Sequence, residues 1–195
     1  MKQPDSNRKM IEKLKQKDRI RSKKVEEAFK NVDRKKFVPE KYQDQAYADR
    51  PLPLNGETIS APHMVAEVTE LLELSGNEKI LEIGSGSGYQ AAILGEIVEN
   101  VVGVEINEKL AEVSQEKTPL NVKIIHGNGL KAVEEKFDRV LYSCATETLE
   151  EALKHVKENG KIVGPVKENG KQVLKRWDSG ELSSHGRVRY VEKQG

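Results

Sequence analysis

The stretch LEIGSGSGYQ, residues 81–90, decides the fold of this chain. It ends a short run of β-forming residues, passes through Gly84, Gly86 and Gly88, and opens a helical pattern. A glycine turn lets the backbone approach a ligand closely, and the unpaired N–H groups at a helix start favour an anionic or polar group. The sequence therefore predicts a strand, a cofactor-binding turn and a helix, in this order.

Strand-like and helix-like patterns alternate around this loop. The predicted strands cover residues 79–84, 101–106, 122–127, 137–143 and 160–166, and the predicted helices cover 64–72, 89–98, 107–117 and about 147–156. This alternation is typical of an α/β fold with a doubly wound, mostly parallel, Rossmann-like sheet. Two further strands, in KQVLKRW and GRVRYV, predict an antiparallel C-terminal finish.

The first 58 residues differ from the rest. Ile11 and Leu14 indicate a narrow apolar helix stripe, and Ser22 is a candidate N-cap for a second helix. Residues 37–58 contain three prolines and an Asn-Gly pair, which exclude a long helix and predict a long, packed connection. We expect a single domain, 1–195, with an N-terminal helical and loop layer over 1–58 and a cofactor-binding core over 59–195.

Composition limits the classes of protein to consider. The chain has 195 residues, 33% of them charged, and no apolar run near the ~18 residues of a membrane helix. Its only cysteine is Cys144, and its N-terminus has no apolar signal segment, so we expect a cytoplasmic protein without a membrane partner. We also expect a monomer.

The charge is unevenly distributed. Residues 1–36 hold 14 Lys and Arg against 6 Asp and Glu, although the whole chain has a net charge of +1. A basic segment can bind nucleic acid. Here the basic residues are interleaved with acids and no aromatic precedes Phe29, which favours a solvated helix surface and no nucleic-acid partner.

The residues around the glycine loop narrow the class of cofactor. A dinucleotide fingerprint would place its third glycine at position 89, which is Tyr89, and no Gly-Lys-Ser/Thr follows for a P-loop. Glu82 precedes the glycines, and Glu105 ends the next predicted strand, where a carboxylate can accept from ribose hydroxyls. The alternative for Glu105 is a solvated charge. This arrangement resembles the first motif of class I S-adenosylmethionine-dependent methyltransferases.

Four segments carry a closer resemblance. FVPE, AYADRPLPL, TISAPHMV and LEIGSGSGYQAAIL follow one another between residues 37 and 94. Together they are similar to the protein-L-isoaspartate O-methyltransferase family, and a looser likeness covers nearly the whole chain. The resemblance implies methyl transfer from S-adenosylmethionine, which becomes S-adenosylhomocysteine, to isoaspartyl residues of damaged proteins and peptides. The ester then closes to a succinimide that partly reopens as aspartate.

The resemblance also implies site residues. Ser60 is the implied active-site residue, and Ile59 and His63 border the peptide. The implied cofactor-binding residues are Glu82, Gly84, Ser85, Gly86, Gly88, Glu105, Asn128 and Gly129. From the local sequence alone, Thr58 or Ser60 is equally well explained as the N-cap of a helix with Pro62 in its first turn. No metal is expected, because His126, His155 and His185 lack ligand spacing.

Three segments depart from the family pattern. Asn128 replaces an aspartate in Gly-Asp-Gly, and an uncharged acceptor there predicts lower cofactor affinity. Residues 143–153 replace an alanine- and proline-rich loop, and Asn159-Gly160 replaces Gly-Gly. Two other functions are open at this point: a class I methyltransferase acting on RNA, and a non-catalytic homologue that binds the cofactor.

Overall fold

The computed structural model describes residues 6–192. Within that range the helices are α1 Asn7–Gln16, α2 Lys23–Asn31, α3 Pro62–Leu71, α4 Tyr89–Gly95 and α5 Glu108–Lys117. The strands are β1 Leu52–Leu54, β2 Glu57–Ile59, β3 Lys79–Ile83, β4 Asn100–Glu105, β5 Val122–His126, β6 Phe137–Tyr142, β7 Val156–Glu168, β8 Lys171–Asp178 and β9 Glu181–Val188. Short 3-10 helices span Arg34–Phe37, Glu40–Gln45, Gly129–Ala132 and Glu150–His155.

The main sheet has the strand order β5-β4-β3-β6-β7-β8-β9. The first five strands in that order are parallel, and β8 and β9 are antiparallel, so the predicted α/β fold is confirmed. The chain moves outward from β3 first through β4 and β5, and then on the other side through β6. The strand order therefore reverses between β3 and β6, and ligands of open α/β sheets bind beyond the carboxyl ends of strands at such a point.

Both faces of the central strands are covered, which explains their continuous hydrophobic sequence. Ile80 belongs to one buried cluster with Val68 of α3, whereas the next residue, Leu81, belongs to another with Val140. Successive strand residues point to opposite faces, so a strand buried on both sides has no polar alternation. The glycine loop is thereby held on a rigid, fully packed strand.

The N-terminal layer packs onto the sheet through α4. The Ser22 hydroxyl accepts from the backbone N–H of Val25 at 3.3 Å, which confirms the predicted N-cap of α2. Phe29 of α2 meets the ring of Tyr89 edge-on, with 6.2 Å between centroids. The buried Arg34 guanidinium lies 5.1 Å from the same ring. The layer therefore supports the first residue of the helix that follows the glycine loop.

A hairpin precedes the stretch that contains Ser60. β1 and β2 pair antiparallel, and Asn55 and Gly56 between them have φ angles of 44° and 90°. Two positive φ angles at Asn-Gly are those of a type I′ turn, which joins paired strands tightly. The long, packed connection expected over residues 37–58 thus contains a hairpin that was not predicted, because three-residue strands are too short to show alternation.

Two C-terminal expectations are corrected as well. The helix expected over about 147–156 is a 3-10 helix, Glu150–His155, and Val156 already begins β7. Leu149, Ala152 and His155 are buried at a spacing of three, which suits a 3-10 helix rather than an α-helix. β9 begins at Glu181, five residues before the predicted strand, and it is exposed along most of its length, so no apolar pattern marks it.

No helix within residues 6–192 has both the length and the apolar character needed to cross a membrane.

Candidate active site

A cavity lies beyond the carboxyl ends of β3, β4 and β6, where the strand order reverses. It holds about 860 Å³ of empty space, its open mouth included. The predicted site residues that line it are Ile59, Ser60, Glu82, Gly84, Ser85, Gly86, Glu105 and Gly129. Gly88 and Asn128 do not line it, and His63 lines an adjoining cleft. The structure thus brings together residues from four separate parts of the chain.

Gly88 has a packing position instead. It is the N-cap of α4 with a φ of 81°, and a Cβ there would lie 3.0 Å from side-chain carbons of Ser114 and Thr118. A side chain at this position would push α4 away from α5. Gly88, the third glycine of the loop, therefore allows α4 and α5 to pack closely.

Glu105 holds the glycine loop. Its Oε2 accepts from the backbone N–H of Gly86 at 2.7 Å, and its Oε1 accepts from that of Asn107 at 2.9 Å. The residue is only 5% exposed, so the alternative of a solvated strand-end charge is wrong. Each carboxylate oxygen has a further lone pair available for a ligand donor.

Glu82 is fully buried at the floor of the cavity. Its Oε1 accepts from the Ser143 hydroxyl at 2.6 Å, and the buried Ser85 hydroxyl is near enough to act on the Glu82 carboxylate and lower its pKa. Within the described residues, neither Oε2 of Glu82 nor the Ser85 hydroxyl has a partner in regular hydrogen-bond geometry. Burial raises the pKa of Glu82 to about 7. An unpaired buried carboxylate oxygen is costly, so this floor suits a ligand that brings a cationic donor.

Sequence reasoning missed Ser143. It directly follows β6, and β6 is the neighbour of β3 on the far side of the strand-order reversal. A polar residue immediately after a predicted buried strand was the available signal. The strand order needed to connect Ser143 with Glu82 was not available from the sequence.

The start of α3 tests the interpretation of Thr58 or Ser60 as a helix cap. The N-cap is Ala61, which provides no side-chain hydrogen bond, and Pro62 follows it. The cap comes from Asp49, whose Oδ1 lies 3.0 Å from the backbone N and 2.7 Å from Nδ1 of His63. Neither Thr58 nor Ser60 caps the helix, so that alternative is wrong.

The contact between Asp49 and His63 lowers the pKa of Asp49. Burial acts to raise the pKa of Asp49, but the hydrogen bonds from the His63 ring and backbone outweigh it and lower the pKa to about 2. The Nζ of Lys17, the C-cap residue of α1, lies 3.4 Å from the other carboxylate oxygen. A charged Asp49 therefore fixes the His63 ring and the first turn of α3 next to Ser60.

Ser60 lies in the wall between two spaces. It lines the cavity and also the adjoining cleft, which is bordered by His63, Met64, Arg187 and Arg189. Thr58, Ser143, Tyr190 and Val191 line both spaces too. The Ser60 side chain can therefore contact a ligand in the cavity or one in the cleft.

The C-terminal segment completes this wall. The Gln172 side chain donates to the carbonyl of Tyr190 at 3.0 Å and accepts from its N–H at 2.5 Å. The backbone N–H of Ala145 donates to the carbonyl of Val191 at 2.7 Å. Nothing in the local sequence predicted that this segment returns to the glycine loop.

The described residues, 6–192, contain no group of three or more His, Cys, Asp or Glu side chains placed to hold a metal ion.

Comparison with known proteins gives one consistent family. The family model described as Protein-L-isoaspartate(D-aspartate) O-methyltransferase (PCMT) matches residues 5–193. The protein-L-isoaspartate O-methyltransferase of Methanopyrus kandleri is 40% identical over 199 residues, which cover 93% of this chain and 88% of the relative. Protein-L-isoaspartate O-methyltransferase 2 of Archaeoglobus fulgidus is 36% identical over 206 residues, covering 98% and 94%.

A solved structure gives the same result. A crystal structure assigned to a protein-L-isoaspartate O-methyltransferase of Plasmodium falciparum, in complex with S-adenosyl-L-homocysteine, superposes with a TM-score of 0.85. The two chains are 26% identical, and the match covers 98% of this chain and 99% of the other. The similarity therefore extends over the whole fold and includes the N-terminal layer.

Proposed function

Because this chain belongs to the protein-L-isoaspartate(D-aspartate) O-methyltransferase family, we propose that it methylates the free α-carboxylate of L-isoaspartyl residues in proteins and peptides, with S-adenosylmethionine as the methyl donor. The observation that carries the proposal is the position of Ser60 between a cavity lined by the carboxylates of Glu82 and Glu105, among others, and an open, positively charged cleft. The product ester loses methanol far more readily than a carboxylate loses water, so the following backbone nitrogen can attack its carbonyl and close a succinimide, which water then partly reopens to aspartate. The biological role is then protein repair.

The cavity fits the methyl donor. S-adenosylmethionine carries an ammonium and a sulfonium charge and, when bound, supplies an electrophilic methyl group. The unpaired Oε2 of Glu82 and the Ser85 hydroxyl suit a cationic donor, and Glu105 suits hydroxyl donors. Gly84, Gly86 and Gly129 line the same cavity and allow close backbone approach. We assign these residues to cofactor binding.

Ser60 then has a positioning role. An α-carboxylate has a pKa near 3.5 and is ionised at neutral pH, so no general base is needed. Alignment of the carboxylate with the methyl group is the main requirement. The Ser60 hydroxyl can donate to one carboxylate oxygen and leave the other free to react, which stabilises the aligned complex by about 1–3 kcal/mol. Ile59 and His63 border the bound peptide.

The test of the function uses labelled S-adenosylmethionine and two peptides that differ only in isoaspartate versus aspartate. We expect label on the isoaspartyl peptide alone. Equal labelling of the two peptides, or none, contradicts the proposal. The same assay excludes a non-catalytic homologue, which would bind S-adenosylhomocysteine without turnover.

The role of Ser60 is tested by Ser60→Ala. We expect turnover to fall by about 5- to 150-fold, which corresponds to the loss of the hydrogen bond of about 1–3 kcal/mol from Ser60 to the substrate carboxylate. The Kd for S-adenosylhomocysteine should stay within about twofold. Ser183→Ala, on the exposed strand β9, is the matched control and leaves both quantities unchanged. Unchanged turnover in Ser60→Ala would remove Ser60 from the mechanism.

The basic N-terminal segment does not favour an RNA substrate. Several of its cations pair with nearby acids: Lys15 with Glu26, and both Arg19 and Arg21 with Glu67. We also propose that the protein acts as one methyltransferase domain in a reducing, cytoplasmic compartment, which the single buried thiol of Cys144 supports.

A further inference from the structure

The cleft on the outer side of Ser60 has an unusual charge. Arg187 and Arg189 border it, and no Asp or Glu is among the described residues that line it. The chain as a whole holds 32 acidic residues against 33 basic ones. A wall with two guanidinium groups and no carboxylate attracts an anion.

These two arginines differ from the others in the described part of the chain. Arg187 and Arg189 are exposed, and their side chains have no ion pair or hydrogen bond within residues 6–192. The seven other arginines there each have a carboxylate, carbonyl or amide-oxygen partner: Arg8, Arg19, Arg21, Arg34, Arg50, Arg139 and Arg176. The two guanidinium groups of the cleft are therefore available to a ligand.

The backbone that carries them is held firmly. Arg187 pairs with Val173 in the register of β8 and β9, and Arg189 lies next to Tyr190, which Gln172 binds through two hydrogen bonds. Both side chains border the same cleft from positions two residues apart. Two guanidinium groups on a backbone held in this way suit a carboxylate, because each presents donors in a planar fork.

We propose that Arg187 and Arg189 bind an acidic side chain of the substrate next to the isoaspartyl residue, so that this protein prefers isoaspartyl peptides with a neighbouring Asp or Glu. The inference rests on the proposed function. The reacting carboxylate is not the best ligand for these arginines, because a bidentate ion pair would draw electron density from both oxygens and make the attacking oxygen a weaker nucleophile. A second carboxylate of the same peptide fits without that conflict.

The test measures kcat/KM for a set of isoaspartyl peptides with one Glu, Gln or Lys placed one or two residues before or after the isoaspartate. We expect the best Glu peptide to exceed its Gln partner by about three- to tenfold at low salt, with the ratio decreasing as salt is added. In the double variant Arg187→Gln, Arg189→Gln the ratio falls to about one. In Arg187→Glu, Arg189→Glu the Lys peptide is preferred.

Two controls separate local from general charge effects. Arg8→Glu makes the net charge more negative by the same amount as the double variant Arg187→Gln, Arg189→Gln. Arg8 lies on α1, outside the cleft, so this variant should keep the preference for the Glu peptide over the Gln peptide. The melting temperature and the Kd for S-adenosylhomocysteine of every variant stay unchanged, because both arginines are exposed and outside the cavity.

Three outcomes overturn the inference. Wild-type protein with equal kcat/KM for Glu and Gln peptides at every position contradicts it while leaving the methylation of isoaspartate intact. If the arginine variants lower kcat/KM equally for all peptides and keep the ratio between the Glu and Gln peptides, the arginines bind the reacting carboxylate instead. Absence of label on every isoaspartyl peptide overturns the proposed function and this inference together.

Discussion

Replacing Glu82 by glutamine should stabilise the cofactor-free protein against unfolding and weaken its affinity for the cofactor. Burial raises the pKa of Glu82 to about 7, against 4.5 for a glutamate in the unfolded chain. The folded protein thus binds the proton more tightly than the unfolded chain, so stability falls as pH rises from about 4.5 to 7. The difference between these two pKa values corresponds to a cost in folding free energy of about 3 kcal/mol above pH 7.

Glutamine has nearly the shape of glutamate, keeps an oxygen for the Ser143 hydroxyl and carries no charge. At pH 8 the variant should therefore unfold with a free energy up to about 3 kcal/mol higher than wild type, and at pH 4 the two should nearly coincide. Urea denaturation of the cofactor-free proteins at several pH values measures this difference.

The same substitution tests cofactor binding. The Kd of wild type for S-adenosylhomocysteine should decrease as pH rises through 7, because Glu82 loses its proton. The Kd of the variant should be about 10- to 150-fold higher than that of wild type at pH 8 and should depend little on pH.

Glu78 provides a matched control with the opposite sign. Burial acts to raise its pKa, but hydrogen bonds from Ser75 and Gly76 outweigh burial and lower the pKa to about 2. Glu78→Gln should therefore destabilise the protein at pH 7, although the substitution is chemically the same. A Glu82→Gln protein that is no more stable than wild type at pH 8 would refute the reasoning, as would wild-type cofactor affinity in that variant.

Three further substitutions test other parts of the site. Asp49→Ala removes the cap of α3 and the partner of His63, and should cost about 0.5–2 kcal/mol in urea denaturation; since the pKa of Asp49 is lowered to about 2, the difference from wild type should disappear as pH falls from about 4 towards 2. Gly103→Ala places a Cβ 2.3 Å from the Ser85 hydroxyl oxygen, and should lower the melting temperature, at a cost of about 1–3 kcal/mol, and weaken S-adenosylhomocysteine binding in calorimetry. Asn128 does not line the cavity itself, but the next residue, Gly129, does; Asn128→Asp should therefore tighten that binding severalfold in the same titration, because a charged acceptor is stronger than an amide oxygen, and unchanged affinity would show that residue 128 is too far from the cofactor to act.

Several features of this protein were predictable because they depend on short-range physics. The glycine loop after β3, the Ser22 cap and the alternation of strands and helices each involve residues within one turn or one strand of each other. The motif around Ser60 was likewise a contiguous stretch that matched a family pattern. Composition and periodicity alone would have led to the fold class, and the family motifs added the proposed chemistry.

The short elements were predicted least well. The hairpin of β1 and β2 and the exposed strand β9 have no apolar alternation long enough to be recognised, so turn chemistry and edge pairing decide them. The 3-10 helix Glu150–His155 has the polar and apolar composition of an α-helix but buries every third residue. In these segments, packing against the sheet outweighs local propensity.

The sequence by itself determined the α/β class, the position of the cofactor loop and the residue types that surround it. Only the tertiary structure decided which of those residues meet. Glu82 contacts Ser143 across 61 positions of the chain, and Asp49, not Ser60, caps α3 across 14. The physical reason is that parallel strands gather their carboxyl ends at one edge of the sheet whatever their separation in sequence. Burial at that edge then determines which charges are costly and which are paired.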